Sequence, residues 1–174
     1  MRIVAGKFAG RHLTSPNDFR VRPTGETVRV ALMRLLRNDL EGARIIDLFA
    51  GTGALGLEAL SRGGKYVDFV EFRPSSLHAL KANIAALGVR EKTRVYKKDA
   101  LPFAGQLPSG KFDIAFADPP YESKMLDRLI ESWHRQQFST ILAIEHARVH
   151  VLPTIVKPQH TQIFDDSAIS VYRL

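Results

Sequence analysis

The stretch FADPPYES, residues 116–123, ends an apolar run with an acid, two prolines and an aromatic ring. Consecutive prolines offer no backbone N–H and fix φ, so neither a β-ladder nor a helix interior continues through them. Asp118 thus stands at a strand end whose following backbone is stiff. A carboxylate beside a rigid carbonyl presents two hydrogen-bond acceptors in a set direction. That pair suits an exocyclic amine of a nucleobase, whose delocalised lone pair makes it a poor nucleophile. If Asp118 and the Pro119 carbonyl accept its two N–H groups, the nitrogen pyramidalises and aims its lone pair at an electrophilic carbon. Pro119 and Pro120 then supply the alignment that an in-line displacement needs. Tyr121 adds a face on which an extruded base can stack. The plainer alternative is a turn that only ends a strand, with Tyr121 packed against its neighbours.

The electrophile has a candidate seat upstream. In DLFAGTGALG, Gly51, Gly53 and Gly56 match G-x-G-x-x-G, with Phe49 and Ala50 leading into the loop. Glycines let a backbone approach a ligand, and the helix that follows offers free N–H groups. Glu71 lies twenty residues past Gly51, where a carboxylate can accept from ribose hydroxyls. NAD and S-adenosylmethionine share an adenosine half, so these features do not separate them. Asp47 and Asp99 favour the latter. A negative Asp47 is unwelcome beside a pyrophosphate but suits an ammonium and a sulfonium. Asp99, followed by Ala100, is placed to accept from an adenine amino group. Each acid also has a structural reading: Asp47 as a buried cap of a backbone loop, Asp99 as a helix cap. The sulfonium charge disappears as a methyl leaves, so no metal is needed.

These residues need a scaffold. Apolar runs alternate with helical patterns from Arg44 onward: RIIDLF, YVDFVE, RVYKKD, FDIAFAD and TILAIE as strands, QHTQIF and AISVYRL as a final pair. ALGLEALSRG, PSSLHALKANIAALG and KMLDRLIESWHRQ read as helices, and the stretch between Asp99 and Phe112 as irregular. Such alternation predicts a mostly parallel sheet with helices on both faces. Upstream, a helix capped by Thr24 and reaching about Arg37 carries an apolar stripe at Val28, Ala31, Leu32 and Leu35. RIVA, KFA and RHL, around Gly6 and Gly10, read as a hairpin. Trp133 reads as core. His78 and the other histidines lack metal-ligand spacing.

The chain has 174 residues, 45% of them apolar, and no cysteine, which fits a single domain in a reducing compartment. No run approaches the roughly 18 apolar residues of a membrane span, so a cytoplasmic protein is expected. Its net charge of +7 is uneven. Residues 1–38 hold eight basic side chains (Arg2, Lys7, Arg11, Arg20, Arg22, Arg29, Arg34, Arg37) against Asp18 and Glu26. That concentration is the footprint of a surface that docks on phosphates.

DLFAGTGALGLEALSRG, VE at 70–71 and DPPY at 118–121 together resemble the class I amino-methyltransferases. With RIVAGKFAGRHL and RPTGETVRVAL, nearly the whole chain is similar to the bacterial small-subunit rRNA guanine methyltransferases of the RsmD type. The resemblance implies an α/β, Rossmann-like, seven-stranded, mostly parallel sheet whose last strand is antiparallel. A small basic N-terminal β-hairpin segment (1–23) would precede a methyltransferase domain (24–174). It implies S-adenosylmethionine held by Asp47, Phe49, Ala50, Gly51, Gly53, Glu71, Asp99, Ala100 and Thr24. Asp118, Pro119, Pro120 and Tyr121 would hold the target base. Arg2, Lys7, Arg11, Arg20, Arg22 and Arg29 would face RNA, with Pro23 near the entrance. The implied substrate is the 2-amino group of guanine 966 in 16S rRNA, presented by the 30S subunit or a late assembly intermediate to a monomeric enzyme. Arg73, Thr27 and Val30 depart from the family's usual residues. The rivals are an amino-methyltransferase acting on adenine or cytosine in DNA or other RNA, an NAD-dependent oxidoreductase and a catalytically silent assembly factor.

Overall fold

RIIDL, YVDFV and FDIAFA are buried along nearly their whole length, as strands covered on both faces must be. The computed structural model describes residues 1–16, 25–120 and 124–174. Its strands are β1 (Arg44–Leu48), β2 (Tyr66–Val70), β3 (Thr93–Tyr96), β4 (Phe112–Ala117), β5 (Ser139–Ala147), β6 (His160–Ile163) and β7 (Ser167–Arg173). They form one seven-stranded sheet in the order β3-β2-β1-β4-β5-β7-β6. Neighbours from β3 across to β5 are parallel, and β7 runs antiparallel to both β5 and β6. The strand order reverses between β1 and β4. In open sheets, the crevice at the carboxyl ends of such a pair is where ligands bind.

Among the described residues, five helices cover the sheet: α1 (Glu26–Leu35), α2 (Ala54–Ser61), α3 (Pro74–Leu87), α4 (Ala100–Ala104) and α5 (Met125–Gln136). Leu32, Leu57 and Leu80 pack with Ile45, Phe69 and Phe116 on one face. Ala104, Leu129 and Trp133 pack with Ile46, Leu142 and Tyr172 on the other. Trp133 is fully buried, and its indole N–H donates to the Ser139 carbonyl at 2.9 Å. His78 is exposed.

Several expectations need correction. Helix α1 is capped by Gly25, without a side-chain bond, and ends at Leu35. Thr24, the expected cap, lies outside the described residues. The stretch after Asp99 is not irregular: α4 forms there, and Asp99 accepts from the Leu101 N–H at its start. Arg29 does not face solvent. It is fully buried, its Nη2 donates to the Arg2 carbonyl at 2.6 Å, and its Nε lies 3.5 Å from Glu58. A guanidinium sealed there cannot contact RNA in this conformation.

Residues 1–14 turn back through Gly6 and Gly10, whose φ values of 83° and 81° suit glycine. Ladder pairing between the two arms amounts to one antiparallel bridge, Arg2 to His12, among the described residues. What fixes the segment is its attachment to the helices. The Glu58 carboxylate accepts from the Val4 and Ala5 N–H groups at 2.8 and 3.1 Å. The Lys7 N–H donates to the Ser61 carbonyl at 2.7 Å, and the Phe8 N–H to the Ser61 hydroxyl at 2.9 Å. Asn83 bonds Thr14 through both its side-chain oxygen and nitrogen. A Cβ on Gly6 would collide with the Ser61 carbonyl. Ile3 and Leu13 join the sheet's core, so the segment is pinned and buried on one side.

Candidate active site

Asp47 comes first because β1 delivers it to the reversal point. It is 2% exposed, and its Oδ2 accepts from the Gly56 N–H at 2.9 Å. The bond ties strand end to helix α2, which is the loop-capping reading of this acid. Burial pushes its pKa well above the usual carboxylate range; the Gly56 bond opposes this, and the charges of Asp118 and Glu71 add to it. The three acids stand at the carboxyl ends of the adjacent strands β2, β1 and β4 and form one electronegative basin. A cation bound among them would relieve that repulsion.

Between β1 and α2 the backbone makes a tight loop. Phe49 has φ 62°, a strained value for an aromatic residue, and Gly51 and Gly53 have φ 55° and 80°. The Gly53 N–H donates to the Ala50 carbonyl at 2.7 Å. A Cβ on Gly53 would press on Leu80, Leu57 and Phe69. Glu71 holds this loop from β2: one carboxylate oxygen accepts from the Gly51 N–H at 2.8 Å. The other accepts from the Phe72 and Arg73 N–H groups, also at 2.8 Å. A carboxylate offers about four acceptor positions, so these bonds leave room for a hydroxyl. Asp99 is exposed and caps α4, while Ala100 is buried beneath it. The cap uses one oxygen, and the second can accept from a ligand.

On the other side of the reversal, Asp118 is half-buried, Pro119 buried and Pro120 exposed. Tyr121 lies outside the described residues, as do Arg20, Arg22 and Pro23. A recess of about 10 Å³, room for a water and not for a base, lies beside the prolines, bordered by Pro119, Pro120, Leu126, Glu145, His146 and His150. Leu126, His146 and His150 were not singled out as site residues in the sequence; the one signal was two histidines four apart, the first inside the end of β5.

Both imidazoles are fixed. His150 Nε2 lies 2.8 Å from Asp127 Oδ1. His146 is 5% exposed, with Nδ1 3.0 Å from the Ala147 carbonyl and Nε2 3.0 Å from the Ser170 hydroxyl. A carbonyl can only accept, so Nδ1 donates and the neutral ring's Nε2 accepts from Ser170. Burial lowers the His146 pKa below 6.5, and the neighbouring His150 adds to the effect against the Ala147 bond. The unfolded chain therefore binds the proton more readily than the folded one. This contribution to stability is present above about 6.5, the unfolded value, and is lost as pH falls through the lower folded pKa. The thermal midpoint is expected to drop between pH 7 and pH 5, and less steeply in His146→Gln. An unchanged slope in that variant would contradict the assignment.

Of the expected RNA-facing residues, Arg2, Lys7 and Arg11 are exposed. Arg2 lies 3.5 Å from Glu26, Arg11 donates to the Ala86 carbonyl at 2.7 Å, and Lys7 stands 5.7 Å from the Phe8 ring centre. Among the described residues, no group of three or more His, Asp or Glu gathers as a metal site. No helix among them is long and apolar enough to cross a membrane.

The strand order, the glycine loop between β1 and α2, and the acids at the rim define a class I methyltransferase, whose methyl donor is S-adenosylmethionine. Residues 1–168 match the model of the family described as conserved hypothetical protein 95, and the chain belongs to that family, the RsmD-type methyltransferases. It is 30% identical to ribosomal RNA small subunit methyltransferase D of Haemophilus influenzae, over 100% of this chain and 92% of that one. A solved structure of a hypothetical protein from Thermus thermophilus superimposes with TM-score 0.83 at 28% identity, covering 100% and 99% of the two chains. An RNA methyltransferase from Salinibacter ruber, solved with S-adenosyl-L-homocysteine, shares the fold at TM-score 0.68 and 15% identity, over 87% and 93%.

Proposed function

We propose that the protein transfers a methyl group from S-adenosylmethionine to the exocyclic 2-amino group of a guanine in small-subunit rRNA, guanine 966 by the family resemblance. The observation that carries the proposal is the rim itself. Asp118 and the Pro119–Pro120 backbone end β4 beside the electronegative basin of Asp47 and Glu71, at the point where the strand order reverses. A sulfonium in that basin would face an amine held by Asp118 and the Pro119 carbonyl. The nitrogen would attack the methyl carbon as the carbon–sulfur bond broke with its electron pair passing to sulfur, and the methylated nitrogen would give up its extra proton to the Asp118 carboxylate and from there to solvent. Asp47 would take the ammonium side of the donor, Glu71 the ribose and Asp99 the adenine amine, with Phe49, Ala50, Gly51, Gly53, Ala100 and Thr24 around it. Tyr121 would stack on the base.

In this reading residues 1–23 dock RNA on a methyltransferase domain of residues 24–174. The substrate is 16S rRNA within the 30S subunit or a late precursor, met by a monomer in the cytoplasm. Arg2, Lys7 and Arg11 supply phosphate contacts, joined by Arg20 and Arg22; Arg29 has a structural role instead. The pinning of the segment supports this, because its basic side chains are carried on backbone that cannot drift. Replacing Lys7 and Arg11 together by glutamine is expected to weaken RNA binding. It should lower the slope of log affinity against log salt by about 1.4–1.8, as the loss of two phosphate contacts would. Donor affinity should be unchanged, and equal loss of donor binding would assign the two residues a structural role.

The substrate class is tested with labelled donor and unmethylated 30S particles, naked 16S rRNA and DNA. Label is expected in RNA, from the particle foremost. Label confined to DNA would overturn the reading.

A further inference from the structure

The chemistry of Asp118 and Pro119 explains how an amine is held, but adenine, cytosine and guanine all carry one. They differ at the ring nitrogen beside it. In adenine and cytosine that nitrogen is an acceptor, whereas in guanine N1 carries a hydrogen and donates. A protein that selects guanine by this edge needs an acceptor next to the one that holds the amine.

Strand β5 supplies one. Ala117 of β4 is paired with Ile144 of β5, so the next residues along, Asp118 and Glu145, follow the last pair of that ladder side by side. Neighbouring strands lie about 4.8 Å apart, a separation from which two carboxylates can converge on adjacent donors of one base. Glu145 is 4% exposed, and strand alternation puts its side chain on the same face of the sheet as that of Asp118. It is also held in the antiparallel ladder opposite Ile169, which makes its backbone position rigid. His146, the next residue, turns its ring to the opposite face of the sheet, toward Ser170, so Glu145 is left on the face shared with Asp118.

We propose that Glu145 is the specificity-determining residue of this site, its carboxylate accepting from guanine N1–H while Asp118 and Pro119 hold the 2-amino group. The inference rests on the guanine reading above and gives it a selector. Adenine or cytosine would set a ring-nitrogen lone pair against the carboxylate, and a buried acceptor denied its partner rejects a ligand strongly.

The test compares guanine with 2,6-diaminopurine, which keeps the 2-amino group but has an acceptor at N1. Each is placed at the target position of ligated 16S rRNA reconstituted into small-subunit particles. The wild-type protein is expected to prefer guanine in kcat/KM by at least about 100-fold. In Glu145→Gln the amide can turn to donate, and the preference should shrink to within roughly tenfold. Donor affinity and thermal midpoint should hold, which a merely structural role for Glu145 would not require. Equal methylation of the two bases by the wild type overturns the proposal without any variant having to fold. So does a Glu145→Gln protein that keeps the full preference. Absence of guanine methylation by the wild type would instead overturn the parent reading, and this inference with it.

Discussion

Asp118→Ala is expected to lower kcat for methyl transfer by at least about 100-fold, about 2.7 kcal/mol of transition-state stabilisation, while donor binding persists. The expectation follows from the proposed role. Its carboxylate would be one of two acceptors that orient the amine, and misplacing a nucleophile by about an ångström already costs a rate factor of that size. Donor binding has no reason to collapse, because the Asp118 charge is one of those that push the Asp47 pKa up. Removing it eases the ionisation of Asp47 beside a cation. Single-turnover rates with saturating 30S particles, together with donor titration by calorimetry, separate the two effects. Full activity in Asp118→Ala would show that the strand end is only a turn.

The largest effect on stability is expected far from the chemistry, in Glu58→Ala. Glu58 is fully buried on α2, and its carboxylate serves the Val4 and Ala5 N–H groups, the Arg62 guanidinium at 2.8 Å and the Arg29 Nε at 3.5 Å. Truncating it deprives a buried guanidinium of its carboxylate, a change that costs about 3–5 kcal/mol. For a chain of this size the thermal midpoint should fall by roughly 6–20 °C. The N-terminal segment also loses two of its anchors, so proteolysis should begin there before the sheet opens. A midpoint within about 2 °C of wild type would mean that the ion pair contributes little.

That pair also shows where the sequence stops being informative. Arg29 sits on an amphipathic helix in a run rich in positive charge, so solvent and phosphate are its natural expectation. Its burial depends on Glu58, twenty-nine positions away on another helix, and no local pattern announces the pairing. The strands were easier. RIIDL, YVDFV and FDIAFA are apolar on both sides, which only a doubly covered parallel sheet requires, and their ends fell within a residue of expectation. Helix α4 was invisible because ALPFA is short and holds a proline, which suits a helix only in its first turn. Strand β5 reaches Ala147 because β7 pairs along it, a contact made by residues 167–173.

In the site, residue types were legible but their partners were not. Asp47, Glu71 and Asp99 stand at the ends of β1 and β2 and the start of α4, and each accepts from backbone N–H groups, of Gly56, Gly51 and Leu101 respectively. They hold the loops in shape, a role the motif alone did not show. Glu145 could be seen in the sequence as a strand-end acid, but its place beside Asp118 exists only in the pairing of β4 with β5. In the proposed reading the basic N-terminus serves affinity for RNA, and the choice of guanine would rest with the rim of the sheet.

The central claim is that the methyl group lands on the 2-amino nitrogen of a guanine in small-subunit rRNA. Nucleoside mass spectrometry of 16S rRNA, recovered from 30S particles incubated with the protein and isotopically labelled donor, reads this directly. N2-methylguanosine carrying the label, absent when Asp118→Ala is used, is the predicted result. Label on adenosine or cytidine, or on no nucleoside of the RNA, would contradict the account.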